Sequence, residues 1–151
     1  MEQIIQLNNQ AKLSEHFTLG EFTRSASHPE VYNIPSHEAI ANLKRLCVWL
    51  EVLRERSGGP IRINSGYRSP QLNRKIGGAP TSNHLTGCAC DIKVSGMEQA
   101  LRYAVILLDY SDESKQEFDE LLIEKNRYGA IWVHFAVRPK ENRRKVLFIN
   151  A

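Results

Sequence analysis

The segment of residues 65–91 constrains the fold more than any other part of this chain. Its sequence, SGYRSPQLNRKIGGAPTSNHLTGCACD, holds the basic residue Arg68, the imidazole of His84 and the carboxylate of Asp91 among glycine-containing turns. A histidine nitrogen and a carboxylate oxygen that a turn holds together can share a borderline metal ion such as zinc, provided that a third ligand comes from elsewhere. We expect His134 to be that ligand, so a distant part of the chain must return to this segment.

Length, charge and hydropathy limit the domain number, the partners and the location that this chain can have. A chain of 151 residues fits one domain, and a domain near this size buries roughly 70% of the surface that its unfolded chain exposes. The formal net charge of +3 is modest and the two signs are interspersed, so no nucleic-acid partner is indicated. No apolar run is long enough to span a membrane, and the N-terminus lacks the features of a secretory signal. We expect a monomer that does not insert into membranes and is made in the cytoplasm, unless an export signal is missing from this sequence.

Three helices are predicted from apolar spacing and capping residues. The clearest has leucine and isoleucine at helical spacing over residues 40–53, with Ser36 as its N-cap and a Gly-Gly-Pro stop from residue 58. A short helix follows Ser69, which caps it ahead of a proline at the first helical position. A third apolar helix covers residues 99–108 and leads into a polar loop.

Five runs have the composition or the alternation of β-strands. They are residues 61–64, a run that starts at residue 87, and residues 118–123, 130–137 and 146–149. A turn at residues 126–129 joins the third and fourth runs into an antiparallel hairpin, and the fifth closes an edge of the sheet. The pattern predicts an α+β fold in which a small antiparallel sheet is flanked by helices.

Strand alternation separates the cysteines from the predicted metal ligands. Cys88 and Cys90 alternate with Asp91 and therefore point to the opposite face of their strand. Cys47 lies on the apolar stripe of the long helix, where free cysteine packs well. We expect all three thiols to be reduced, and a rival zinc site built on the paired cysteines is the weaker alternative.

The first 34 residues are expected to form an ordered wrap around the core. Thr18 and Glu21 have the spacing of a capping box, which predicts a short helical turn. The apolar residues expected to hold the wrap in place are Leu13, Phe17, Leu19 and Phe22. Three histidines in or just after this polar region are expected to be surface groups; they are His16, His28 and His37.

The motifs SGYRSP, SNHLTGCACD, FDELLIE and WVHF, taken in this order, resemble the M15 family of zinc peptidases. This family comprises D-Ala-D-Ala carboxypeptidases and related peptidoglycan peptidases, and the resemblance is to the subgroup found in phage lysis enzymes and bacterial cell-wall hydrolases. FTLGEF and LNRKIGGAPTSNH extend the resemblance over most of the chain. It implies the M15, or hedgehog-like, peptidase fold, with a zinc site in a groove on the sheet. One peptidase domain, residues 1–151, would contain the wrap and a catalytic core at residues 35–151.

The resemblance also implies roles for individual residues. One zinc ion would be held by His84, Asp91 and His134, with water in the remaining position. Arg68 matches the arginine that contacts a carboxylate or carbonyl oxygen of the substrate, a task that suits the planar guanidinium fork. Tyr67 and Ser82 match motif positions too, either as substrate-binding residues or as structural support.

The general base is the position at which this sequence departs from part of the family. Many members carry an acid three residues before the last histidine, where this chain has Ile131. Glu124, at the end of FDELLIE, matches the acid of the subgroup. A hairpin register that pairs Glu124 with Trp132 would bring its carboxylate to the face of His134. Asp119 is the reserve candidate, although an aspartate that orients a ligand histidine would have the same pattern.

The function that the resemblance implies is zinc-dependent hydrolysis of peptide bonds in peptidoglycan stem or cross-link peptides, of carboxypeptidase or endopeptidase type. Such an enzyme would reach the cell wall after release or export. The altered acid position leaves a second hypothesis, a catalytically inactive cell-wall-binding module that keeps the fold and the metal. In a third, the metal only stabilises the protein.

Overall fold

The computed structural model describes residues 8–25 and 27–150 and has an α+β architecture, as predicted. The helices are α1 (Leu19–Thr23), α2 (His37–Ser57), α3 (Pro70–Lys75) and α4 (Met97–Ser114). The strands are β1 (Ile63–Ser65), β2 (Ala89–Lys93), β3 (Glu120–Lys125), β4 (Ile131–Ala136) and β5 (Lys145–Asn150). A 3₁₀ helix, Asn83–Thr86, precedes β2. Among the described helices, none has the length and apolar character needed to cross a bilayer.

The five strands form one sheet in the order β1-β2-β4-β3-β5. All neighbours are antiparallel except β3 and β5, which run parallel, so the sheet is mixed at the edge where β5 lies. The predicted hairpin is confirmed, and its register pairs Glu124 with Trp132. On the other side of β4, His134 pairs with Asp91 of β2. The central strand β4 thus lies between the two strands that carry the remaining acidic residues.

Helix α2 supplies the largest part of the core. The Ser36 hydroxyl accepts a hydrogen bond from the Ala39 backbone N–H at 3.1 Å, and Gly58 ends the helix in the left-handed conformation at φ +79°. Its leucines are fully buried, and each such side chain contributes about 1.5–3 kcal/mol when it leaves water. Trp49 packs against Phe118 and Phe135 beneath the sheet. This contact holds α2 under β4.

Some element boundaries differ from those predicted. Helix α4 continues beyond residue 108 to Ser114 because Tyr110 packs edge-on against Trp49 with their ring centroids 4.9 Å apart. Ser111 is also buried, so the polar residues expected in a loop form the last helical turns. β1 and β3 each begin two residues later than predicted.

The N-terminal segment packs on the part of the chain that carries the site. The predicted capping box of α1 is confirmed, since the Thr18 backbone N–H donates to the Glu21 carboxylate at 2.7 Å. The four predicted apolar contacts are all buried. A Cβ on Gly66 would lie 2.7 Å from the Phe22 backbone, so glycine permits this close approach. Residues 1–7 of the predicted wrap lie outside the described residues.

Candidate metal centre

The first imidazole of the site is held by the 3₁₀ helix before β2. The Ser82 hydroxyl accepts a hydrogen bond from the His84 backbone N–H at 3.2 Å, and Gly87 ends the turn at φ +75°. The His84 Nδ1 atom lies 2.6 Å from the Gly66 carbonyl oxygen. Because a carbonyl only accepts, Nδ1 carries the proton. The free lone pair is therefore on Nε2, which lies 3.4 Å from an Asp91 carboxylate oxygen.

The other two predicted ligands meet His84 across the β2–β4 pair. The His134 Nδ1 atom lies 3.1 Å from Asp91 Oδ1, and one ligand atom from each of the three residues lies within 4.8 Å of the others. Ligands bound to zinc at about 2.1 Å in a tetrahedron are about 3.4 Å apart, which is close to the 3.1 and 3.4 Å contacts of Asp91 with the two imidazoles. The three donors, two imidazole nitrogens and a carboxylate oxygen, fit a zinc site with one open position.

Glu120 is a site residue that the sequence analysis missed. Its Oε1 atom lies 2.9 Å from His134 Nε2 and accepts a second hydrogen bond from Asn83 at 2.6 Å. Since a carboxylate only accepts, Nε2 carries a proton toward Glu120, and the proton on Nδ1, which faces Asp91, is the one that a metal ion would displace. The signal was available, because alternation along β3 puts Glu120 on the same face as Glu124, diagonal to His134.

The carboxylates around the two imidazoles favour a cation at this place. Burial alone disfavours a charged imidazolium, but the hydrogen bonds to Asp91 and Glu120 outweigh it and raise the pKa of His134 to about 10. Burial also opposes ionisation of Asp91, yet the neighbouring histidines hold the pKa of its carboxyl well below its usual value. A metal ion and a proton therefore compete for the same negatively charged position.

Arg68 lies beside this group, on the side of β1. Its Nη2 atom is 3.6 Å from Asp91 Oδ2, and its Nη1 atom donates to the Asn73 side chain at 3.3 Å. Burial lowers the pKa of the guanidinium, against the pull of the nearby carboxylates. Tyr67 belongs to the hydrophobic core, where 9% of its surface is exposed. Its substrate contact stays a prediction.

A groove of about 370 Å³ follows β3 and β4 past the group. Ser82, Glu124 and His134 all line it. Burial raises the pKa of Glu124 above its ordinary value, a shift that suits a general base. Glu124 and the metal-ligand set are thus brought to one surface, as the predicted register required, while their chemical roles stay predictions.

Asp119, the reserve candidate for the base, has a different environment. Its fully buried carboxylate accepts hydrogen bonds from the Arg143 backbone and guanidinium and from Asn83. Although burial alone would raise it, these bonds lower the pKa of Asp119 to about 2. The carboxylate is occupied by Arg143 and is not in hydrogen-bonding contact with His134, so the geometry favours Glu124.

The cysteines take no part in the group. Cys88 and Cys90 are buried without a disulfide in the described part of the chain, and burial raises the pKa of both thiols. The thiolate form that binds zinc is therefore disfavoured. Cys47 lies in the core as predicted, and burial raises the pKa of its thiol to about 12.

Two comparisons with known proteins agree with this geometry. The family model described as Peptidase M15 matches residues 15–119, more than half of the chain. A relative is the zinc D-Ala-D-Ala carboxypeptidase of Streptomyces albus G, which is 32% identical over 91 residues. That alignment covers 60% of this chain but 36% of the relative, so the chain spans little more than a third of that protein. His134, Glu120 and Glu124 follow the part that the family model matches.

Proposed function

The chain belongs to the M15 family of peptidases, and we propose that it is a zinc-dependent enzyme that hydrolyses peptide bonds in peptidoglycan stem or cross-link peptides. The observation that carries this proposal is the convergence of His84, Asp91 and His134 within 4.8 Å. Arg68 and Glu124 flank the same group. The name of the Streptomyces relative supports both zinc and a D-Ala-D-Ala peptide as substrate, although this chain spans only 36% of that protein.

Bound zinc would supply a Lewis acid that polarises a peptide carbonyl and lowers the pKa of water at the site to about 7. The side chains of this protein would handle the protons and the substrate. Glu124, in our proposal, accepts the proton of the attacking water and returns it to the leaving amine. Arg68 donates hydrogen bonds to a carbonyl or carboxylate oxygen of the peptide, which holds the scissile bond near the metal group.

The proposed substrate lies in the cell wall, so the protein would act after release or export from the cytoplasm. The direct test is to incubate the zinc-loaded protein with purified peptidoglycan and to identify the muropeptides by mass spectrometry. The mass of the product distinguishes a carboxypeptidase, which removes a terminal residue, from an endopeptidase, which cuts a cross-link. The His84→Ala variant is expected to lose both zinc and activity. Hydrolysis that survives this change would refute the proposal.

The hypothesis of an inactive wall-binding module depended on the missing acid at Ile131. Glu124, which pairs with Trp132 on the adjacent strand, provides a carboxylate from another direction and weakens that hypothesis. The Glu124→Ala variant separates the two. An enzyme loses turnover and keeps its zinc, whereas a module binds the wall and forms no product even with the parent sequence.

A further inference from the structure

The groove beside the metal group has a basic end that the proposed mechanism does not use. It runs along β3 and β4 from Glu124, past His134, to three basic residues that also line it. These are Arg138, Arg143 and Lys145. Arg68, by contrast, lies toward β1 and contacts Asp91. The two arginines Arg68 and Arg138 therefore serve different parts of the surface.

Arg138 is held in place by one nitrogen and leaves its others free. Its Nε atom donates to the Asn83 side chain at 3.0 Å and lies 3.3 Å from an Asp119 carboxylate oxygen. Neither terminal Nη atom has a protein acceptor in the part of the chain that the structure describes. The side chain is 31% exposed, so these donors can reach a ligand in the groove. A guanidinium held in this way presents a pre-oriented fork for a carboxylate.

The local charges leave this fork positive. Asp119 is a single carboxylate that contacts two guanidiniums, and Arg143 already binds it through Nε and Nη2 at 3.0 and 2.8 Å. Glu120 also lies 3.7 Å from Arg143 and pairs with Lys145 across β3 and β5, so two carboxylates face three basic side chains and a positive charge remains at this end. Glu120 contacts both His134 and the basic end, whereas Glu124 lies farther along β3, opposite Trp132. The groove is therefore acidic beside the metal group and basic at its end.

We propose that Arg138 forms a second substrate subsite, which binds a free carboxylate of the peptide at a distance from the scissile bond. This inference rests on the proposed peptidase function. Arg138 follows His134 by four residues, which span about 13 Å of extended chain. An extended substrate advances about 3.3 Å per residue, so the carboxylate belongs to a residue about two to four positions from the bond that is cut. The subsite selects acidic peptides over their amidated forms.

The test uses pairs of muropeptides that differ only in one free or amidated carboxylate. For the parent protein, kcat/KM is expected to be about 10- to 100-fold higher for the acidic member of one pair, as for a lost hydrogen bond to a charged group. In Arg138→Gln this ratio falls to near one. The control variant Lys140→Gln removes the same charge from an exposed residue of the same loop and keeps the parental ratio. Zinc content and melting temperature are measured for each variant.

Two results would overturn the proposal. In one, Arg138→Gln leaves the ratio of kcat/KM for acidic and amidated muropeptides unchanged; in the other, it lowers kcat/KM equally for both members of every pair. The proposed function fails separately, if the parent protein cleaves no muropeptide. Calorimetric binding of the same pairs to the zinc-loaded protein then still tests the subsite. A preference for the acidic member that Arg138→Gln abolishes supports it, and equal binding of both members rejects it.

Discussion

Glu120→Ala tests the inference that this carboxylate orients a metal ligand. The change removes the acceptor that lies 2.9 Å from His134 Nε2. His134 is buried, so its proton on Nε2 is left without that partner and the ring can turn away from Asp91. Loss of such an outer partner weakens metal binding about 10- to 100-fold, which corresponds to about 1.4–2.7 kcal/mol. Asn83 still donates to Asp119, so it keeps an acceptor.

The measurement is a competition titration of zinc against a chromophoric chelator. Glu120→Gln serves as the conservative variant, because its amide oxygen can still accept from His134, and we expect it to recover part of the lost affinity. Glu55→Ala removes an exposed glutamate of α2 and serves as the control with unchanged affinity. If Glu120→Ala binds zinc within about threefold of the parent, Glu120 does not position His134 for the metal.

Three further predictions follow from individual contacts. Glu124→Gln is expected to lower kcat on muropeptides about 10²- to 10⁴-fold with zinc content retained, and an unchanged kcat would exclude Glu124 as the base. Asp119→Asn is expected to lower the free energy of unfolding at pH 7 by about 2 kcal/mol, because the folded-state pKa of about 2 lies below the ordinary 3.8. A folded-state pKa below the ordinary pKa stabilises the folded protein at pH values above the ordinary pKa. The difference in the free energy of unfolding between parent and variant, measured by urea denaturation, should therefore shrink as the pH falls from about 4 to 2, and a constant difference would contradict the ion pair. Gly87→Ala is expected to cost at least about 1 kcal/mol, since φ is +75° and the new Cβ would lie 2.5 Å from the Ala39 carbonyl oxygen. Gly59→Ala, which meets nothing within 4 Å, should leave the melting temperature nearly unchanged, and equal shifts in the two variants would refute this reasoning.

The local elements were largely predictable because their signals are local. The helix after Ser36, the capping box at Thr18 and the hairpin that ends in β4 follow from spacing, caps and alternation within short windows. The predicted end of α4 was wrong because a non-local contact decides it. Its last turns have a polar sequence, and a tertiary contact between Tyr110 and Trp49 keeps them helical.

In the candidate site, too, some residues were predictable from the sequence, whereas the surroundings of others depend on the tertiary structure. The motif match selected His84, Asp91 and His134, and the assumed register brought Glu124 to them. Asp119 and Glu120 are adjacent in sequence, yet they have different surroundings. Asp119 contacts the loop after β4 through Arg143, whereas Glu120 contacts His134. Asp119 precedes β3 and Glu120 begins it, and Asn83 donates to both carboxylates. The contacts with Arg143 and with His134, which come from other parts of the chain, are what distinguish the two acids.

The sequence by itself determined the types of the elements, the candidate ligand set and the family, because these depend on residue identity, period and motif order. Only the tertiary structure decided which nitrogen of each imidazole faces the candidate metal group, since that depends on the carbonyl of Gly66 and the carboxylate of Glu120. It also decided that Arg138 lines the groove of His134, through contacts with Asn83 and Asp119 that are distant in the chain. Hydrogen-bond partners of this kind are set by strand register and loop path, and neither is encoded in a local window of sequence.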